Sequence, residues 1–194
     1  MQPHLLTERY LASLSPGHPV SYTSVREGIY SESFPIYTGW LDAGNPPSSK
    51  LVTIPHDGSG PGVAWAKKDD LGEATANMLL SYVRDPAGFP YVNQTVLLSG
   101  PRVVSLAETV GILGREIGRP LEIQEISVDE YTRLPAGEGK NVYRGVSFEG
   151  PWATSWEAIR RGETAVPTDV LAKWLGREPE DYETTIHNLV GKGD

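Results

Sequence analysis

Cysteine is absent from all 194 residues. That gap excludes disulfides, thiolate nucleophiles and zinc–thiolate sites. It also makes a reducing compartment the simplest home, so a cytoplasmic location is expected. No apolar run approaches the ~20 residues that a membrane span needs. Residues 1–12 carry charges and a proline where a signal peptide would have an apolar stretch. Basic residues are outnumbered, 17 against 25 acidic, for a formal charge of −8. Such a field repels phosphate backbones, and nucleic acid is not an expected partner. Lys67-Lys68 and Arg160-Arg161 are the only basic doublets. The sequence has no internal repeat, no low-complexity tract and no G-x-S-x-G nucleophile elbow, so His56-Asp57 with Ser59 reads as a turn rather than a hydrolase triad.

Glycine and proline are plentiful: 21 and 16 residues, about a fifth of the chain, which predicts many turns and long loops. Apolar residues at 39% and charged residues at 22% argue against extended disorder. A chain of this size buries roughly 70% of its unfolded surface. One domain over residues 1–194 is expected.

Periodicity supplies the elements. Leu5, Leu6, Tyr10 and Leu11 fall near one face and predict a helix over 4–14, stopped by Gly17 and Pro19. Residues 20–26, 51–54, 63–66, 94–98 and 121–126 read as short strands. Residues 27–40 mix aromatic and small side chains and remain ambiguous. Three capping boxes announce helices: Asp70 to Glu73, Ser105 to Glu108 and Ser127 to Glu130. Residues 135–141 read as a flexible loop. Two closing helices, 168–174 and 182–190, have Gly176 and Gly191 as stops. Alternating strands and helices make the class α/β, with strands too short and scattered for a full doubly wound sheet.

At this point a set of motifs, in order, resembles a known family. His4-Leu-Leu-Thr-Glu8 is followed by Ser21-Tyr-Thr-Ser-Val-Arg26-Glu-Gly28-Ile-Tyr30. Then come Val63-Ala-Trp-Ala-Lys-Lys-Asp69, Gln94-Thr-Val-Leu-Leu-Ser-Gly-Pro101, Gly118-Arg-Pro120 and Leu175-Gly-Arg-Glu-Pro179. The series is similar to the NmrA-like atypical short-chain dehydrogenases, in the branch of triphenylmethane reductase and NAD(P)H:quinone oxidoreductase-like proteins. The resemblance implies a partial Rossmann-like fold, the C-terminal substrate-side portion. The family opens on a strand, a glycine-rich turn and a helix that cradle the cofactor diphosphate. No such motif occurs in this chain. Pro61 interrupts Gly58-Ser-Gly-Pro-Gly62, which reads as a turn between strands. Any NAD(P)H binding by this chain is therefore expected to be weak or absent. Ordinary members carry Tyr-x-x-x-Lys on the helix matched by residues 4–14. Aligned on Glu8, His4 takes the lysine position and the tyrosine position falls before Met1. No catalytic residue is assigned.

The resemblance implies His4, Arg26 and Gly28 on the cofactor side. Arg26 and Gly28 also end a strand, where α/β sheets collect ligands. The plainer readings are an exposed His4, an internal ion pair for Arg26, a turn for Gly28 and packing for Tyr30. Tyr30, Phe34, Tyr37 and Trp40 step by helical spacing, either as core or as an aromatic pocket for a flat substrate. Trp152, with Tyr143 and Trp156, is either a lid or a satellite core. His4 and Glu8 share a face but lack a third ligand, so no metal is expected. The implied chemistry is NAD(P)H-dependent reduction of a flat, apolar, quinone-like acceptor. Two alternatives stand beside it: an NmrA-type regulator that binds a protein partner or itself as a homodimer, and a cofactor-free isomerase or lyase.

Overall fold

In a computed structural model, the described residues are 2–14, 20–134, 142–143, 146–147 and 149–190. The chain runs α1 (Gln2–Leu14), β1 (Thr23–Glu27), a 3-10 turn (Ser31–Ser33), α2 (Phe34–Tyr37), β2 (Leu51–Ile54), α3 (Lys68–Arg84), β3 (Gln94–Leu98) and α4 (Leu106–Glu116). It continues through β4 (Glu122–Glu125), α5 (Val128–Tyr131), β5 (Val142–Tyr143), β6 (Val146–Ser147), α6 (Glu149–Arg160), α7 (Val170–Leu175) and α8 (Tyr182–Val190). The architecture is α/β.

The four longer strands form two parallel pairs that interleave along the chain. β1 pairs with β3, Val25 opposite Val96, and β2 pairs with β4, Val52 opposite Ile123. Parallel neighbours need long crossovers, and here each crossover contains a strand of the other sheet. The larger core gathers Ile54, Val63, Trp65, Leu106, Leu113, Trp156, Ile159 and Ile186 around β2 and α4. A second cluster joins Leu71, Ala74 and Met78 of α3 to Val96 and Leu98 of β3 and Leu171 of α7.

Most helix signals act as the spacing predicts. Ser127 accepts from the Glu130 N–H while Glu130 accepts from the Ser127 N–H, a complete capping box. Ser105 accepts from the Glu108 N–H, but the Glu108 carboxylate turns away to Arg102 at 2.8 Å. Gly176 ends α7 in the left-handed region with φ of 68°, its N–H bonded to the Ala172 carbonyl.

Two expectations are corrected. Residues 63–66 form no strand, only single bridges from Val63 to Val104 and from Ala66 to Tyr30. The glycine-rich turn before them and Gly100 beside Trp65 let the backbones touch at one residue at a time. Asp70 does not cap α3. The helix starts two residues earlier, and the Lys68 N–H donates to both carboxylate oxygens of Glu32, each at 3.2 Å. With that end supplied, Asp70 sits in the first turn, 3% exposed, and faces inward. It accepts from Arg177 at 2.8 Å and from the Glu180 N–H at 2.6 Å. The expected loop at 135–141 and the stops at Gly17, Pro19 and Gly191 lie outside the described residues.

Candidate functional site

The carboxyl end of β1 carries the densest polar arrangement among the residues singled out in the sequence. Alternation along the strand sends the side chains of Ser24 and Arg26 to one face and that of Val25 to the other. Glu8, on α1, meets the first face. Its carboxylate takes a forked contact from Arg26, 2.8 Å to Nε and 2.5 Å to Nη2, and a third hydrogen bond from Ser24 at 2.8 Å. These donors, Arg26 first, hold the Glu8 carboxyl well down, at about 2. Arg26 is thus paired internally yet keeps 49% of its side chain exposed. His4 lies one turn before Glu8 on α1 and is exposed.

Gly28 follows at the strand end. Its N–H donates to the Leu98 carbonyl at 2.7 Å, and a side chain there would press on Leu98 and Ser99 at 3.1 Å. Glycine is needed for this close approach of the two strands. The Tyr30 hydroxyl donates to Glu27 at 2.7 Å, which favours the neutral phenol and raises its pKa. Around the carboxyl end of β1, Arg26 thus turns to Glu8 on one face, and Tyr30 bonds Glu27 on the other.

The other aromatic candidates divide. Phe34 and Tyr37 are buried in the larger core, whereas Tyr30 packs against the second cluster. The run is no single helix: a 3-10 turn precedes α2, and Trp40 sits beyond it at φ of 61°. Tyr37 meets Trp65 edge-on at 5.4 Å and Trp152 edge-on at 6.5 Å. Burial pushes the Tyr37 phenol up to about 12, so it stays protonated. Trp156 is buried and donates its indole N–H to the Tyr37 carbonyl. Trp152 is 37% exposed and forms the outer edge of this aromatic group.

A cavity of about 240 Å³ lies elsewhere, beside the amino end of β1. Thr23 and Val25 form its floor, with Thr75, Met78 and Tyr82 of α3 and Phe89 around it. None of Tyr30, Phe34, Tyr37 or Trp152 lines it. The sequence reading passed over Thr75 and Tyr82. Their signal was available, because they fall at helical spacing with Leu71 and Met78 on the apolar side of α3. Among the described residues, no group of three metal-ligating side chains could hold an ion, and no helix is long and apolar enough to cross a membrane.

No protein-family profile matches the chain. A curated relative, the NmrA-like family domain-containing oxidoreductase flvB of Aspergillus flavus, is 28% identical over 187 residues, which is 96% of this chain. The chain is similar in sequence to this NmrA-like oxidoreductase along nearly its whole length. The chain spans about half of that relative's length, 54%. Among solved structures, it matches an NADPH-dependent quinone oxidoreductase of Escherichia coli in complex with NADPH. The TM-score is 0.72 at 20% identity, over 97% of this chain and 59% of that one. It also matches the Citrobacter sp. triphenylmethane reductase complexed with NADP(H), with a TM-score of 0.64 at 22% identity over 87% and 53%. The fold of these Rossmann-like reductases is therefore shared by this chain, over a little more than half of each solved protein.

Proposed function

We propose that this chain is the substrate-side part of an NmrA-like, NAD(P)H-dependent oxidoreductase acting on a flat, apolar, quinone-like acceptor. The observation that carries the reading is the sequence likeness to an oxidoreductase along 96% of the chain. The place of Arg26, Gly28 and Tyr30 along the carboxyl end of β1, the end of an α/β sheet that ligands favour, agrees with it. A bound dihydronicotinamide would supply the hydride of such a reduction. In this reading His4 and Arg26 border the nicotinamide side, and the Glu8 fork fixes the Arg26 guanidinium while leaving half of it open. Trp152 offers an exposed ring against which a flat acceptor can stack, steadied edge-on by Tyr37.

The described residues do not fit the cofactor's diphosphate. The glycine-rich turn at Gly58–Gly62 is packed under the start of α4. A side chain at Gly58 would strike Ile123 and Ala107, and one at Gly62 would strike Val104 and Ser105. Those glycines serve chain contact and leave no cradle. Binding of the whole dinucleotide by this chain is accordingly weak. Titration of the purified chain with NADPH, followed by tryptophan fluorescence, tests this. The expected result is no saturation below millimolar nucleotide. Saturable micromolar binding overturns the weak-binding part of the reading and demands a phosphate site built without a glycine turn.

A partner-binding role draws on a different observation. Leu5, Leu6 and Tyr10 of α1 and Leu79, Leu80 and Val83 of α3 are exposed, all at 42% or more.

A further inference from the structure

Just past β2 the chain buries an imidazole under a turn whose other polar side chains are exposed. His56 is fully buried, while Asp57 and Ser59 face solvent. The ring's Nδ1 accepts the Gly58 N–H at 2.9 Å, which places the ring proton on Nε2. Nε2 has no hydrogen-bond partner among the described residues. Asp57 Oδ1 lies 3.4 Å from the same Nδ1 but is occupied by Ser59, accepting its N–H and its hydroxyl at 2.9 Å each. Nδ1 thus stands between a donor it now bonds and a carboxylate now turned to Ser59. A neutral ring can use only the donor. An imidazolium carries a proton on Nδ1, so it must release the Gly58 N–H and can bond only the carboxylate.

The turn is held at both ends and loose in between. At its start the Ile54 carbonyl accepts the Ile126 N–H at 3.1 Å, and the Pro55 carbonyl accepts from Arg160 at 3.2 Å. At its end the Gly62 carbonyl accepts the Thr164 hydroxyl at 2.7 Å, and Val63 exchanges both backbone bonds with Val104. Between them Gly60 has open space around it and a φ of 85°, so the backbone can rotate there. Gly58 is the piece that matters to its surroundings, because its carbonyl accepts the Ala107 N–H in the first turn of α4 at 2.9 Å.

The charges around the ring favour the same exchange. Arg160 and Glu157 of α6, Glu125 of β4 and Asp57 face it. Arg160 lies 3.5 Å from Glu125 and 3.6 Å from Glu157, so these three offset one another. From α4, Glu108 turns away to Arg102. Asp57 is therefore the carboxylate that an Nδ1–H can reach.

We propose that His56 and Asp57 form a proton-driven switch: protonation passes Nδ1 from the Gly58 N–H to the Asp57 carboxylate, and residues 57–59 swing about Gly60 away from α4. The ring takes one proton from solvent, and otherwise only hydrogen bonds change. In the open turn the ring is solvated and titrates near the ordinary histidine value of about 6.5, whereas the closed turn excludes the proton. Opening is therefore favoured as pH falls, by about 30-fold between pH 7.5 and 5.

Nitrogen spectra of the imidazole and single-amide hydrogen exchange, corrected for intrinsic rates, test the switch on the whole chain. At pH 7.5 the ring proton is expected on Nε2. Protection of the Gly58 and Ala107 amides falls about 30-fold by pH 5. They then exchange well ahead of Val63 and Ile117, at a rate that low urea leaves unchanged, which marks a local opening. His56→Asn keeps an acceptor for the Gly58 N–H and takes no proton, so its protection is flat over this range. Asp57→Asn removes the charge that receives the Nδ1–H and moves the fall to lower pH. Should His56→Asn fail to fold, the parent profile and Asp57→Asn decide. A ring proton on Nδ1 at pH 7.5 overturns the inference. So do flat protection at Gly58 and Ala107, exchange there that shares the urea dependence of Val63 and Ile117, or an unaltered fall in His56→Asn.

Discussion

Removing the Asp70 carboxylate should cost this protein far more than removing a helix cap. Asp70 is 3% exposed and accepts the Glu180 N–H at 2.6 Å. A hydrogen bond to a charged group contributes about 1.5–3 kcal/mol net, and a buried donor left without a partner costs a similar amount. These overlap, so Asp70→Ala is expected to lose about 3 kcal/mol. For a chain of this size that lowers Tm by roughly 6–12 °C. Asp70→Asn keeps an oxygen for the Glu180 N–H and gives up only the charge facing Arg177, so about half the loss is expected. The assay is urea unfolding by circular dichroism, with the m-value checked so that a shifted midpoint reports stability alone. A capping role predicts otherwise: about 1 kcal/mol for alanine and full replacement by asparagine. An alanine variant within ~0.5 kcal/mol of the parent refutes the argument. So does an asparagine variant as poor as alanine.

Two more predictions follow from buried or crowded positions. His56 is fully buried and its Nδ1 accepts the Gly58 N–H at 2.9 Å, so the ring is neutral in the folded chain, and burial lowers its pKa below 6.5. The unfolded chain takes up that proton first, so His56 contributes stability that is whole above about pH 6.5 and declines as pH falls below it. Urea midpoints between about pH 7.5 and 5 should fall for the parent and stay flatter for His56→Asn. Parallel curves would contradict this; the lowered carboxylates, such as Glu8, act only at more acid pH. Gly60 and Gly62 share a positive φ, 85° and 84°, but a side chain at Gly60 meets nothing while one at Gly62 meets the Val104 backbone. Gly60→Ala should cost about 1 kcal/mol and Gly62→Ala about 3 kcal/mol or more, measured by thermal unfolding. Equal losses would mean that the turn is free to move.

What the sequence could convey divides by range. Ser127 and Glu130 lie three residues apart and need only each other, so their box was legible. Gly176 likewise needs only its own φ. Asp70 looked the same and was not, because its partners are 107 and 110 residues away. The helix end it seemed to serve was taken by Glu32, at a distance no local pattern reports. At the candidate site, Arg26, Gly28 and Tyr30 were legible as a strand end, and the ion pair of Arg26 was foreseen as its plainer reading. That Glu8 would be the partner was not, since it depends on where α1 lies against β1. The aromatic spacing from Tyr30 to Trp40 carried the least information. Spacing cannot tell that a 3-10 turn and a positive φ break the run, sending Tyr30 to one cluster and Tyr37 to the other.

The stack of Trp65 on Tyr182, 5.1 Å apart and 16° from parallel, sets an order for biosynthesis. A nascent chain leaves the ribosome with Trp65 made 117 residues before its covering ring. Lys67 waits as long for Glu180, and Asp70 for Arg177. Until α7 and α8 emerge, then, the apolar side chains of Trp65 and Leu71 lack part of their cover, and Lys67 and Asp70 lack their ionic partners. These contacts close only after α8 emerges. A stop codon or stalled ribosome shortly before α8 would release a polypeptide with Trp65 uncovered, although every strand among the described residues has been synthesised.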